Sequence, residues 1–194
     1  AALGLCLLRI QKHAPHRATP RLSPDGRYAI VFDGRIDNRA ELASRLHIDM
    51  SDVGDDELLL EAFRRWRHEL PEQLLGEFAF AIWDTREHEL FCARDPVGAR
   101  PFYFRHEHGR FVFASEEMAV SAGIGASPEA DPHYLASLLI RGYYRFETSQ
   151  SPLAGIEKLP PGHWLRLDAG GRVEQRAYWD WYEYTEPPLR SDGF

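Results

Sequence analysis

A chain of 194 residues, 44% hydrophobic and 12% aromatic, is long enough for one well-packed domain with a tail and too apolar for a disordered segment. Its 30 acidic against 23 basic side chains give a formal net charge of -7, which repels a phosphate backbone and argues against nucleic acid as a partner. No apolar run approaches the roughly 20 residues of a membrane-spanning helix, and two cysteines are too few for a disulfide scaffold, so a cytoplasmic setting is expected.

The first predicted element is a short buried strand over residues 3–8. The opening "AALGLCLLRI" has no basic stretch before it and is interrupted by Arg9, so it does not read as a signal peptide. A chain seldom starts on a core element, and an upstream segment is therefore expected. A Pro-rich loop and the turn "SPDGR" at residues 23–27 lead into a strand over residues 27–32, which is expected to end in a tight turn at Asp33 and Gly34.

Two helices follow. Asn38 is placed to cap "RAELASRL", and "DDELLLEAFRRWRHEL" carries acids in its first turn and bases toward its end, as the helix dipole favours. Leu58, Leu59, Ala62, Phe63 and Trp66 form its apolar face.

From residue 77 the period changes. "EFAFAIWD", "LFCAR", "PFYFR" and "RFVFAS" are near-continuous apolar runs separated by short turns, the pattern of strands covered on both faces. Helices are predicted at residues 116–122 and 132–141, then a hairpin turning at residues 169–171. The segment "WYEYTEPPLRSDGF" is aperiodic, with two adjacent prolines, and reads as a linker over residues 179–194. The periodicity alone gives an α+β domain of stacked sheets and flanking helices.

Candidate sites are few. The "HEH" at residues 106–108 and the pair His13 and His16 have no acid or cysteine cluster at metal-ligand spacing, so no metal site is assigned. "DAGGRV" lacks the Lys-Ser or Lys-Thr pair of a phosphate loop. Cys6 and Cys92 lie inside apolar runs, where a free thiol acts as a small hydrophobic filler.

The ordered series "VFDGRIDNRAEL", "GDDELLLEAFRRW", "LLGEFAFAIWD", "LFCARDPVGARPFYF", "FVFASEEMAV", "GIEKLPPGHWLRL" and "AYWDW" resembles the amino-terminal half of asparagine synthetase-type enzymes over nearly the whole chain. That resemblance implies a class II glutamine amidotransferase-like domain over residues 1–178, lacking its first segment. The implied fold is an N-terminal-nucleophile hydrolase-like αββα sandwich of two mainly antiparallel sheets. The implied partner is a carboxy-terminal synthetase domain beyond the linker, which would use ATP and Mg to activate a carboxylate. A homodimer is a further expectation.

In this family the nucleophile is a cysteine at the first residue of the mature chain, with its own α-amino group as base. Residue 1 here is alanine, and internal Cys6 and Cys92 have amide nitrogens that are not basic, so no catalytic residue is assigned within the chain. Where the family commonly has Asn-Gly as an oxyanion hole, this sequence has Asp33 and Gly34. Gly34 keeps its backbone donor, whereas an ionised Asp33 is acceptor-only. Losing one such donor typically costs roughly 3 kcal/mol of barrier.

Asp55 falls at the aspartate that binds the α-ammonium of glutamine, and the arginine that holds the substrate carboxylate falls at Leu7, with Arg9 nearby. "ARDPVG" matches a loop that helps shape the family's core and interface. The resemblance therefore implies a glutaminase-type domain with degenerate or absent glutaminase activity. Its substrate would be glutamine or a peptide or small-molecule amine, the latter as in lasso-peptide macrolactam cyclases and β-lactam synthetases. A non-catalytic interaction or scaffold module is the competing expectation.

Overall fold

The computed structural model describes residues 1–4, 20–49, 53–125, 127–141 and 149–180. Most of the predicted strand over residues 3–8 lies outside these residues, as do Cys6, Leu7, Arg9, His13, His16 and residues 181–194 of the predicted linker.

Strands β1 (Arg21–Leu22), β2 (Tyr28–Ile36), β3 (Gly76–Asp84), β4 (Glu89–Arg94), β8 (His163–Leu167) and β9 (Val173–Ala177) form one antiparallel sheet in the order β1-β2-β3-β4-β8-β9. A smaller antiparallel sheet has the order β6-β5-β7, from β5 (Tyr103–Glu107), β6 (Arg110–Ala114) and β7 (Glu157–Lys158). Helices α1 (Arg39–Leu46) and α2 (Asp55–Trp66) cover the larger sheet. Helix α3 (Glu117–Ile124) lies against β5 and β6, and α4 (Pro132–Arg141) follows it.

The alternation along β3 and β4 explains the layering. One set of side chains, including Phe78, Phe80, Ile82 and Phe91, packs under Leu58, Leu59, Ala62 and Phe63 of α2. The other set, Ala79, Ala81, Leu90 and Cys92, packs with Leu165 against Phe102, Phe104 and Leu159 between the sheets. Each strand is thus apolar on both faces, and the expected αββα arrangement is present. Burying each Leu or Phe of these layers contributes roughly 1.5–3 kcal/mol before chain entropy is counted.

Three local expectations are corrected. β2 does not end in a turn at Asp33 and Gly34: it runs through them to Ile36, with Asp33 opposite Ala79 and Gly34 opposite Phe78. Gly34 has φ +140°, and a Cβ there would come 2.1 Å from the Glu77 carbonyl oxygen, so glycine serves close strand approach rather than chain reversal.

Asn38 occupies the N-cap position of α1 without capping it. Its side-chain amide donates to the Gln73 carbonyl at 2.9 Å and accepts from Leu75 N–H at 3.0 Å, tying α1 to the entry of β3. Helix α2 stops at Trp66, short of the predicted end, because Arg67 takes φ +51° and turns the chain into a 3-10 segment, Arg67–Gln73, that contains Pro71. The reversal sends the Arg67 guanidinium over the Phe63 ring and onto the Tyr28 hydroxyl at 2.6 Å.

Candidate functional site

The candidate positions gather where the second half of β2 meets β3. Asp33 and Gly34 lie on β2, and Glu77 lies opposite Arg35 on β3. Arg100 arrives from the loop after β4. Its Nη1 is 3.7 Å from Asp33 Oδ1 and its Nη2 is 3.5 Å from Glu77 Oε2. One guanidinium thus serves two carboxylates, and its Nε is buried with no hydrogen-bond partner among the described residues.

The loop that delivers Arg100 is the "ARDPVG" motif, and its two charged residues are structural. The Asp95 carboxylate is fully buried and accepts from the backbone N–H groups of Val97, Ala99 and Arg100 at 2.9–3.1 Å. Arg94 is buried too, and its guanidinium donates to the carbonyls of Gly98, Arg100 and Leu159 at 2.5–2.8 Å. Burial pulls the Arg94 guanidinium below its ordinary value, and the neighbouring Asp95 charge works against that pull. The Arg100 peptide is consequently gripped on its N–H by Asp95 and on its carbonyl by Arg94, which leaves the side chain to reach back to Asp33.

Asp55 opens α2 and stands beside the same strand. One carboxylate oxygen accepts from Ile36 N–H at 3.1 Å, two residues beyond Gly34, and the other pairs with Arg39 Nη1. Arg39 also donates to the Val53 carbonyl at 2.6 Å. Burial raises the Asp55 carboxyl above its ordinary value, against the opposing Ile36 hydrogen bond and Arg39 charge. Both Asp55 oxygens therefore have partners within the chain.

Of the four predicted positions, Asp33 and Gly34 lie on β2, Asp55 at the start of α2 accepts from Ile36 of the same strand, and Leu7 falls outside the described residues. Arg100, Glu77 and Arg39 are the partners that sequence reasoning did not single out. Arg100 follows directly on "ARDPVGA", so the motif contained the signal but not its target.

Cys92 sits between the sheets, fully buried, with its thiol pushed well up by desolvation, which agrees with a filler role. His106 leans on Phe111 and His108 lies at the exposed tip of the β5–β6 turn; no metal-holding cluster occurs among the described residues. "DAGGRV" is a hairpin turn in which Asp168 accepts from Gly170 and Arg172 N–H, both at 2.9 Å. A cavity of about 670 Å³ lies at the opposite end of β2, among Arg27, Arg64, Arg67, Glu89 and Asp168. Buried Asp84 holds Arg27 and Arg67 there, and Arg64 pairs with Glu61 of its own helix.

Comparisons with known proteins agree with this architecture. The profile of the "Glutamine amidotransferase domain" family matches residues 1–179. Asparagine synthetase [glutamine-hydrolyzing] 3 of Bacillus subtilis (strain 168) is 30% identical over 175 residues, covering 84% of this chain and 28% of the relative. Asparagine synthetase [glutamine-hydrolyzing] 1 of the same organism is 31% identical over 161 residues, covering 79% and 24%. The chain thus spans about a quarter of the length of these relatives.

The solved structure of glutamine phosphoribosylpyrophosphate amidotransferase from B. subtilis superposes with a TM-score of 0.55 at 20% identity, over 84% of this chain and 32% of that one, a likeness of fold. With two stacked antiparallel sheets between helices, the fold of N-terminal-nucleophile hydrolases, and a family match over almost its whole length, this chain belongs to the class II glutamine amidotransferase domain family, with asparagine synthetases among its relatives.

Proposed function

We propose that this chain is the amidotransferase-type half of an asparagine synthetase-like, ATP-dependent amide-forming enzyme in which the glutaminase position has degenerated. The supporting observation is the pairing of Asp33 with Arg100 at 3.7 Å. Where the family resemblance calls for an amide donor beside Gly34, this chain has a carboxylate with a cation at its side. A carboxylate accepts hydrogen bonds and repels a developing oxyanion, so it opposes the charge that amide hydrolysis creates.

Asp55 points the same way. Its two oxygens already accept from Ile36 N–H and Arg39, so a glutamine ammonium would have to share this carboxylate with the Arg39 cation. The nitrogen that enters the product in this reading is an amine on the acceptor substrate, as in macrolactam- and β-lactam-forming relatives. ATP and Mg would act in the synthetase half.

Glutamate release from glutamine by the full-length protein is the test. The expected rate is at background, and the Asp33→Asn variant is expected to raise it if a nucleophile precedes this segment. Sustained glutamate release by the unaltered protein would overturn the reading. A scaffold role without chemistry is separated by ATP-dependent condensation of the full-length protein with its amine acceptor, which should survive Asp33→Asn.

A further inference from the structure

The family resemblance gives the "ARDPVG" loop a part in shaping the core and interface, and the structure shows in addition how it places Arg100. Four backbone hydrogen bonds to Asp95 and Arg94 fix the Arg100 peptide and its approach: Arg100 N–H to Asp95 Oδ2 at 3.0 Å, Ala99 N–H to Asp95 Oδ1 at 2.9 Å, and the Arg100 and Gly98 carbonyls to Arg94, each at 2.5 Å. Both clamp residues are at most 3% exposed, so a rigid and costly arrangement is spent on placing one half-exposed side chain.

At its end, the guanidinium faces two carboxylates at 3.5 and 3.7 Å, longer than a well-formed fork pairing, and its Nε remains buried with no acceptor among the described residues. A buried donor without an acceptor shows that Asp33 and Glu77 do not fully satisfy this guanidinium.

We propose that Arg100 is a carboxylate-binding residue beside Gly34, and that the chain's own Asp33 fills its site as an internal anion. The occupant belongs to the same chemical class as the ligand the site would take, a small carboxylate. Because Asp33 and Glu77 both bear on Arg100, the trio carries a net charge of -1 and turns an incoming carboxylate away. Neutralising Asp33 removes one competitor and one repelling charge, and it leaves the clamp untouched. Arg100 in this role is a specificity residue of the site that the proposed function reads as degenerate, and the idea rests on that reading only in taking the Gly34 neighbourhood as a substrate position.

The test follows the amide resonance of Gly34 in the full-length protein labelled with 15N-glycine, as sodium glutamate is added at constant ionic strength. Wild type is expected to respond weakly. Asp33→Asn should show a saturable shift with affinity about threefold to fivefold tighter, the range for a half-exposed charge pair. Asp33→Asn with Arg100→Gln should return to the wild-type response, and Asp33→Asn with Arg100→Lys should keep part of the gain.

Equal binding by Asp33→Asn with and without Arg100→Gln would overturn the proposal, as would a Gly34 amide that stays silent in Asp33→Asn. If the Arg100→Gln variants unfold, the Arg100→Lys arm still decides, because a purely structural arginine predicts no difference in glutamate affinity between it and Asp33→Asn alone. Glutamine hydrolysis by the wild type would sink the degenerate reading and leave this binding comparison standing.

Discussion

Gly34 and Gly76 close the same pair of strands from opposite sides. A Cβ on Gly34 would come 2.1 Å from the Glu77 carbonyl oxygen, and one on Gly76 would come 2.2 Å from the Arg35 carbonyl oxygen. Both have φ near +140°, a region that side chains rarely enter. The Asp33 position is therefore held by a strand contact that only glycine permits. Gly34→Ala and Gly76→Ala are each expected to destabilise the domain by about 2–4 kcal/mol, the backbone having to separate locally. Urea denaturation measures this, and a change below about 0.5 kcal/mol in either variant would contradict the close approach.

Asp84 makes stability depend on acid. Burial by itself would raise its carboxyl, but the Arg27 guanidinium and the N–H groups of Arg86 and Glu87 outweigh that and hold it down at about 2. The folded value lies below the unfolded one, so the stabilisation is fully present above about pH 4 and is lost as pH falls toward 2. It amounts to about 2 kcal/mol. Asp84→Asn should therefore destabilise at pH 7, and its gap from wild type should shrink steadily between pH 4 and 2 in denaturant titrations. A gap independent of pH over that window would rule the ion pairing out.

Asp55 is expected to behave in the opposite sense. Burial raises its carboxyl, so its contribution is largest below the unfolded value near 4 and diminishes as pH rises through the raised folded value. Asp55→Asn keeps an oxygen for Ile36 N–H and relieves a buried charge, so it should cost no more than about 1 kcal/mol at pH 7, less than Asp84→Asn. A larger loss for Asp55 than for Asp84 would show that the Arg39 pair dominates the desolvation.

Arg94 cannot be exchanged conservatively. Its three carbonyl acceptors at Gly98, Arg100 and Leu159 match a planar guanidinium, and an ammonium cannot span them. Arg94→Lys should lower stability by about 2–3 kcal/mol, with unmet carbonyls as the cause. It should also broaden the backbone amide resonance of residue 100, which Arg100→Lys should leave sharp. An Arg94→Lys protein of wild-type stability would refute the clamp.

Cys92 should resist alkylation in the folded protein. Desolvation lifts its thiol well above the ordinary value, and the thiolate is the reactive form. Peptide mapping after iodoacetamide treatment at pH 8 should leave the Cys92 peptide unmodified in native protein and fully modified in denaturant. Rapid native labelling would remove Cys92 from the space between the sheets.

Much of the architecture was legible because apolar period reports burial. The unbroken runs around Phe78 and Phe91 announced strands covered on both faces, and the Leu58, Leu59, Ala62 and Phe63 face announced a helix lying on them. Local propensity misled where tertiary contacts compete with it. Asn38 is a good capping residue, yet its amide bonds the Gln73 and Leu75 backbone. Asp33 and Gly34 make a good turn dipeptide, yet the ladder to β3 keeps them extended. The pattern around Arg67 is helical, yet its side chain is drawn to Tyr28 and buried Asp84.

By itself the sequence carried the family resemblance and the layered α+β fold, and that resemblance is what points to Asp33 and Gly34. The fold follows from hydrophobic period, which is local and additive, and the family from the ordered motifs. Only the tertiary structure decided what the charges at that place do: that Arg100 returns to Asp33, that Asp55 is taken by Arg39 and Ile36, and that Arg94 and Asp95 are a clamp and not a site. Charge pairing depends on distances of a few ångströms between residues far apart in the chain, and only the folded backbone sets those distances.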